Sequence, residues 1–215
     1  MEIRDILEEI FSELRKHYDP DSWWPAESSF EVAVGAVLTQ NTNWNNVKKA
    51  INNLKELGAL SPLGVLNLEE HQLLKAIRPA GFYTRKLMTL REIARFFLEF
   101  NPKEKTEELR NKLLSLKGIG KETADSILLY AFEKPVFVVD AYTLRFLKRY
   151  GLEIRMNYNG VQSLFHKVFP VDAGLFKELH ALIVEHSKAL CRKTPRCREC
   201  FLKKCKKAPK YGAFR

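Results

Sequence analysis

The sequence predicts an all-α fold. Apolar residues recur at three- and four-residue spacing along nearly all of the 215 residues. The intervals between these runs are short and carry Gly, Pro, Asn or Ser. The one compact apolar run without helical period, Val136-Phe137-Val138-Val139, has no second segment to pair with as a sheet.

The elements follow in order. Ile3, Ile6, Leu7, Ile10, Phe11 and Leu14 mark a first amphipathic helix. Residues 30–38 are apolar on nearly all faces, which predicts a buried helix. Helices are then predicted over 47–57, 69–77, 85–100, 106–116 and 121–132. Turn signals separate them at Ser61-Pro62, Pro79-Ala80-Gly81, Asn101-Pro102 and Gly118-Ile119-Gly120. Residues 136–139 read as a buried connector, and helices resume at 141–150, 161–169 and 175–190. No internal repeat, heptad array or low-complexity linker interrupts them.

Composition narrows the class. With 46% hydrophobic and 29% charged residues the chain is globular, not disordered or fibrous. No apolar run approaches the ~18 residues of a membrane span, so no membrane partner is expected. Residues 1–18 mix acids and bases and lack the apolar centre of a signal peptide. The expected location is the cytoplasm, at the nucleoid in a prokaryote. The net charge is +10, and residues 191–215 carry +9 of it, with ten basic residues against Glu199 alone. Such a basic segment on a near-neutral body fits a polyanion partner or a solubilising tail.

All four cysteines lie in that segment. Cys191, Cys197, Cys200 and Cys205 are spaced C-x5-C-x2-C-x4-C, and the remaining chain has none. In a reducing compartment this reads as a four-thiolate metal site, not as disulfides. Spacing leaves zinc and a 4Fe–4S cluster both open. Ligation would close a small loop that contains Lys203 and Lys204. That loop is too short to hold itself by apolar burial, so the metal would serve as its core.

Leu116-Lys117-Gly118-Ile119-Gly120-Lys121 lies between two predicted helices. Two glycines around one aliphatic residue allow a tight turn that exposes backbone N–H groups to a phosphate, with Ile119 as the buried pin. The lysines on either side favour that reading over an ordinary helix–helix turn. Asp140 ends the apolar run and precedes a helix. It is a helix N-cap, a carboxylate poised at a groove, or both.

These features together resemble the endonuclease III superfamily of helix-hairpin-helix DNA glycosylases. The residues are L-K-G-I-G-K, V-F-V-V-D ending in Asp140, and the four-cysteine loop, in a stretch from about Trp23 to Cys205. The resemblance implies two all-helical lobes with double-stranded DNA bound in the cleft. One would be residues 25–133 with the hairpin; the other would be 1–24 plus 134–215 with the cluster loop. It implies a monomer, Asp140 as the catalytic carboxylate, and a 4Fe–4S cluster in preference to zinc. It also implies DNA contacts at Lys117, Gly118, Ile119, Gly120 and Lys121, with Lys203 and Lys204 in the cluster loop.

Two departures stand out. The usual cysteine spacing of the family is x6, x2, x5, and each outer gap here is one residue shorter. Bifunctional members carry a lysine two residues after the second hairpin glycine, and here that residue is Glu122. Lys121 is one residue early, about 100° away around a helix. A glycosylase without strand-cutting activity is therefore expected. W-W-P at 23–25, L-T-Q-N-T at 38–42 and K-G-I-G-K-E are most similar to the 3-methyladenine glycosylase branch. That similarity implies a stacking pocket of Trp23, Trp24 and Trp44 for a flipped alkylated purine, with Gln40 filling the vacated place. Indole faces suit a cationic base by about 0.5–2 kcal/mol. Gly81-Phe82-Tyr83 and Lys86 are expected near the DNA, with Tyr83 reading equally as a packing residue at a helix start. Lys48, Lys49, Arg85 and Arg145 read as DNA contacts or surface charge. The five histidines read as packing or solvent-facing residues. The competing readings are a glycosylase with lyase activity for other lesions and a non-catalytic DNA-binding protein.

Overall fold

A computed structural model describes residues 2–20 and 24–206. Every regular element among them is helical, and the 136–139 run is a buried connector without strand pairing. None of the helices is long and apolar enough to cross a membrane. The chain divides into two compact units. Trp24–Lys134 forms the middle unit, and the described residues on either side of it form the outer unit.

Helix α1 (Ile3–Arg15) opens the outer unit and buries Leu7, Ile10, Phe11 and Leu14. The middle unit is built around α2 (Ser29–Leu38), which is buried on all faces from Phe30 onward. Ser28 starts that helix by accepting a hydrogen bond from the Glu31 N–H at 3.1 Å. The buried Glu31 carboxylate is held by Lys55 at 3.1 Å and by the Glu27 N–H at 3.0 Å. Helix α3 (Trp44–Glu56) is capped by Asn43 and packs against the following turns.

Residues 62–67, which follow the Ser61-Pro62 turn signal and carry no helix expectation from sequence, form the short helix α4 (Pro62–Asn67). Ser61 is its cap and Pro62 its first residue, where a missing N–H costs nothing. The Ser-Pro pair thus starts a helix instead of only breaking one. Helix α5 (Glu70–Ile77) leads through a 3₁₀ turn, Arg78–Ala80, to α6 (Tyr83–Glu99). α7 (Thr106–Ser115) and α8 (Lys121–Ser126) flank the glycine hairpin. The helix expected to run unbroken over 121–132 widens instead into a π-helical turn at Ile127–Ala131. Arg110 on α7 clamps the fully buried Asp125 of α8 with two hydrogen bonds of 2.6 and 3.0 Å.

The outer unit adds α9 (Ala141–Tyr150), α10 (Tyr158–Val168) and α11 (Ala173–Ala189) to α1. Its core is aromatic. Phe137 of the connector stacks on Phe165 at 3.7 Å, and Phe11 meets Phe165 edge-on. Truncating the fully buried Phe137 to Ala would cost about 3–5 kcal/mol. The Phe137 N–H donates to His166 Nε2 at 3.1 Å, and the Phe137 carbonyl accepts from the Gln162 amide at 2.8 Å. These bonds satisfy a connector that has no sheet partner.

Candidate functional site

The hairpin lies in the middle unit. Gly118 has φ +89° and Ile119 is buried, so the turn is pinned into the core while Lys117, Gly120, Lys121 and Glu122 are exposed. Thr89 presses against it from α6. Its hydroxyl donates to the Lys117 carbonyl at 3.1 Å, and a Cβ at Gly118 would fall 2.2 Å from that oxygen. No side chain fits there. Gln40, one residue past the Thr39 cap of α2, donates from its amide to the Gly118 carbonyl at 3.0 Å and to the Thr123 hydroxyl at 2.9 Å. The T-Q-N-T segment is thereby tied to the hairpin.

Trp24, Trp44 and Tyr130 form an aromatic group in the same unit. Trp24 stacks on Tyr130 with centroids 5.0 Å apart and meets Trp44 edge-on at 5.7 Å. The Trp24 ring packs over Gly35 of α2, its nearest atom at ordinary contact distance, 3.5 Å, from where a Cβ would be. Trp23 lies outside the described residues. Tyr130 was not singled out from sequence, because it sits in the π turn and a regular helical period misplaces its face.

Lys86, expected near DNA, is buried instead. Its ammonium donates to the carbonyls of Leu38 at 2.8 Å and Ala80 at 2.9 Å. Burial pushes its pKa down to about 8. The side chain therefore ties the end of α2 to the 3₁₀ turn, because two carbonyls at helix ends need a donor that the backbone does not supply. Beside it Phe82 is 63% exposed and takes φ +46°, an uncommon backbone for an aromatic residue.

Asp140 lies in the outer unit as the N-cap of α9. Its Oδ1 accepts from the Thr143 N–H at 2.7 Å and from the Thr143 hydroxyl at 2.8 Å. Its Oδ2 lies 3.6 Å from Nε2 of His180 on α11. Burial acts to raise the carboxyl, but His180 and the two Thr143 bonds outweigh it and hold Asp140 below the usual carboxylate range. His180 had read as a packing or solvent-facing histidine. Forty residues separate it from Asp140, so no local spacing signals the pair.

The cysteine loop completes the outer unit. Cys191, Cys197, Cys200 and Cys205 line one cavity together with Phe146, His186 and Leu202. Among the described residues no three Cys, His, Asp or Glu side chains converge closely enough to hold a single ion. The thiols instead ring a space. Burial pushes the Cys200 thiol up; the hydrogen bond with the Leu202 backbone opposes it, and the neighbouring Cys205, Cys191 and Cys197 add smaller upward pushes. Four crowded, half-buried thiols fit a group that supplies positive charge among them.

Arg149 secures the loop by donating to the carbonyls of Cys191 (3.1 Å), Arg192 and Lys193 (2.8 Å) and to Cys191 Sγ at 3.5 Å. Arg145, read as DNA contact or surface charge, donates to the Cys191 carbonyl at 3.1 Å. One turn apart on α9, both arginines face the loop. Lys204 is exposed and pairs with Glu9 at 2.6 Å, while Lys203 reaches the Cys200 carbonyl at 3.4 Å. His17 stacks on Phe201 of the loop at 3.6 Å.

Comparison with known proteins places these features. Residues 34–171 match the HhH-GPD superfamily base excision DNA repair protein family. A candidate DNA repair glycosylase of Methanocaldococcus jannaschii is 46% identical over 208 residues, 93% of this chain and 94% of that one. Endonuclease III of Thermotoga maritima is 28% identical over 199 residues, 92% of this chain and 91% of that one. The H. pylori 3-methyladenine DNA glycosylase bound to 1,N6-ethenoadenine superposes with TM-score 0.73 at 34% identity, covering 87% of this chain and 98% of that one. An endonuclease III–DNA covalent intermediate superposes with TM-score 0.82 at 21% identity, covering 98% and 99%. The chain belongs to the HhH-GPD superfamily of base excision DNA repair proteins.

Proposed function

We propose that this protein is a monofunctional DNA glycosylase that removes alkylated, 3-methyladenine-like purines and leaves the abasic strand uncut. The observation that carries the reading is the pairing of two facts. A largely enclosed, hydrogen-bonded Asp140, its side chain 12% exposed, is held as a carboxylate, and the second residue after Gly120 is Glu122, not a lysine.

The chemistry suits that pair. An alkylated purine nucleotide carries positive charge on the base, so cleavage of the C1′–N bond releases a neutral base and leaves the sugar cationic. The Asp140 carboxylate stabilises that oxocarbenium-like charge, much as carboxylates do in glycoside hydrolysis. Water adds its oxygen to C1′ and gives up a proton, which yields the abasic sugar. No amine attacks the sugar, so no Schiff base forms and no strand is cut. Trp24 and Trp44 are the stacking surfaces for a cationic base. Gln40, held beside the hairpin by the Gly118 carbonyl and the Thr123 hydroxyl, would fill the vacated stack. The hairpin from Lys117 to Lys121 takes a DNA phosphate, with Lys203 and Lys204 as further backbone contacts. The similarity to the 3-methyladenine glycosylase, at 34% identity, supports the substrate class. The similarity to endonuclease III supports the competing reading, a glycosylase with lyase activity.

Cys191, Cys197, Cys200 and Cys205, which line one cavity, would hold a 4Fe–4S cluster, a reading supported by the similarity to endonuclease III. When bound it supplies a cross-link for a loop with little apolar core of its own.

The test is base release from duplexes that contain 3-methyladenine, 7-methylguanine, uracil, thymine glycol or a G·T mismatch, read before and after hot alkali. Methylpurine release with scission only after alkali is expected. Scission without alkali overturns the monofunctional reading, and release confined to pyrimidine lesions overturns the substrate class.

A further inference from the structure

We propose that His180 is a positioning residue for glycosidic cleavage: its buried imidazole, carried on α11, holds the Oδ2 edge of Asp140 while Thr143 holds Oδ1. The inference rests on the reading of Asp140 as the reacting carboxylate.

The two oxygens of Asp140 are not used alike. Oδ1 takes both Thr143 bonds, which already satisfies the cap of α9. Capping thus gives no reason for a second polar group at Oδ2. Yet the His180 side chain, only 4% exposed, stands 3.6 Å from that oxygen. At 3.6 Å the contact is a long one that orients the carboxylate, not a short hydrogen bond. Its carrier is a 17-residue helix packed on α9 and α1. Phe137 of the connector lies edge-on to the imidazole at 6.4 Å and limits its swing. The carboxylate is therefore gripped on both edges by separate helices, and it needs no reorganisation when positive charge develops on a sugar.

The charge balance points the same way. Burial by itself favours a neutral Asp140, and His180 is the first of the opposing groups, ahead of the Thr143 N–H and hydroxyl. The group that faces Asp140 from α11 is His180, that from its own helix is the non-titrating Thr143, and the connector contributes the apolar ring of Phe137 beside His180. Without His180 the carboxyl should rise.

The experiment is single-turnover release of 7-methylguanine by the full-length protein across the acid range, for wild type, His180→Gln, His180→Phe and Asp140→Asn. Affinity for an uncleavable abasic duplex is measured in parallel. Both His180 variants are expected to lose about tenfold to hundredfold in rate. Their acid limb should move to higher pH, with DNA affinity unchanged. Glutamine keeps a donor of similar reach, so His180→Gln should recover part of the rate but not the position of the limb. A carbon-13 carboxyl titration of Asp140 in wild type and His180→Gln gives a readout independent of turnover, and the midpoint should rise in the variant. Folded His180 variants with wild-type rate, limb and carboxyl midpoint overturn the proposal. Base release by Asp140→Asn at the wild-type rate, or none by wild type on any lesion, overturns the reading of the site itself, and the proposal with it.

Discussion

Thr143 gives both its backbone N–H and its hydroxyl to a single oxygen of Asp140, at 2.7 and 2.8 Å. One carboxylate oxygen therefore builds the start of α9, and the other is left to charge. Structure and chemistry can be separated at this residue. Asparagine keeps the capping oxygen and is as good an N-cap as aspartate. Asp140→Asn should change stability by less than about 1 kcal/mol. With Asp140 as the proposed reacting carboxylate, base release should fall by about a hundredfold to a thousandfold, since its charge is lost. Denaturant melts and single-turnover kinetics on one preparation check both halves.

The two hairpin glycines should respond differently to the same change. Gly118 has φ +89°, and a Cβ there would fall 2.2 Å from the Thr89 hydroxyl oxygen. Gly118→Ala should cost about 1–2 kcal/mol of stability or more. A Cβ on Gly120 meets nothing within 4 Å. Gly120→Ala should therefore fold normally. If DNA backbone approaches that surface, its affinity should drop about tenfold, equivalent to ~1.4 kcal/mol. Melting temperatures and binding isotherms for the pair distinguish packing from contact.

Lys86 should make stability rise on the alkaline side. Burial pulls it from 10.5 to about 8 in the folded state. Between those values the unfolded chain holds more protons than the folded one, so stability gains with pH across that window. The cost of burying the ammonium is fully present below 8 and is relieved as pH climbs toward 10.5. Compared with Lys86→Met, the wild type should gain stability from the lower to the upper end of that range. Chemical denaturation of both proteins at each end provides the measurement.

Arg149 should hold the cysteine loop whether or not DNA is present. Its guanidinium reaches three successive carbonyls and Cys191 Sγ. Arg149→Ala should cost about 1 kcal/mol, because three part-exposed carbonyls lose a charged donor that ties them together. If the loop carries the proposed cluster, the change should also speed its loss to a chelator, followed by the absorbance near ~400 nm that an iron–sulfur cluster gives and zinc does not. Cysteine-to-serine changes at any of the four positions should remove that band.

Much of the fold was legible from residue spacing. The wholly apolar 30–38 segment could only be a buried helix, and α2 is one. An aspartate just before a helical run reads as a cap, and Asp140 caps α9. Misreadings arose where one residue type serves two purposes. Ser61-Pro62 marks both a turn and a helix start, and α4 begins there. The π turn at 127–131 follows no three-to-four periodicity, so Tyr130 was not placed against Trp24. Lys86 looked like a surface cation because charge normally avoids the core, and only two opposed carbonyls explain why it does not.

By itself, the sequence determined what local rules govern: the helical class, the hairpin glycines, the clustering of four cysteines and the absence of a lysine two residues after Gly120. These depend on the chemistry of neighbouring residues along the chain. Tertiary structure alone decided which distant groups meet. His180 comes to Asp140, Gln40 to the Gly118 carbonyl, and Arg149 to the carbonyls of the cysteine loop. Each partnership spans forty or more residues, so no local periodicity encodes it. It follows from close packing, which lets a buried polar group remain only where some other element supplies its partner.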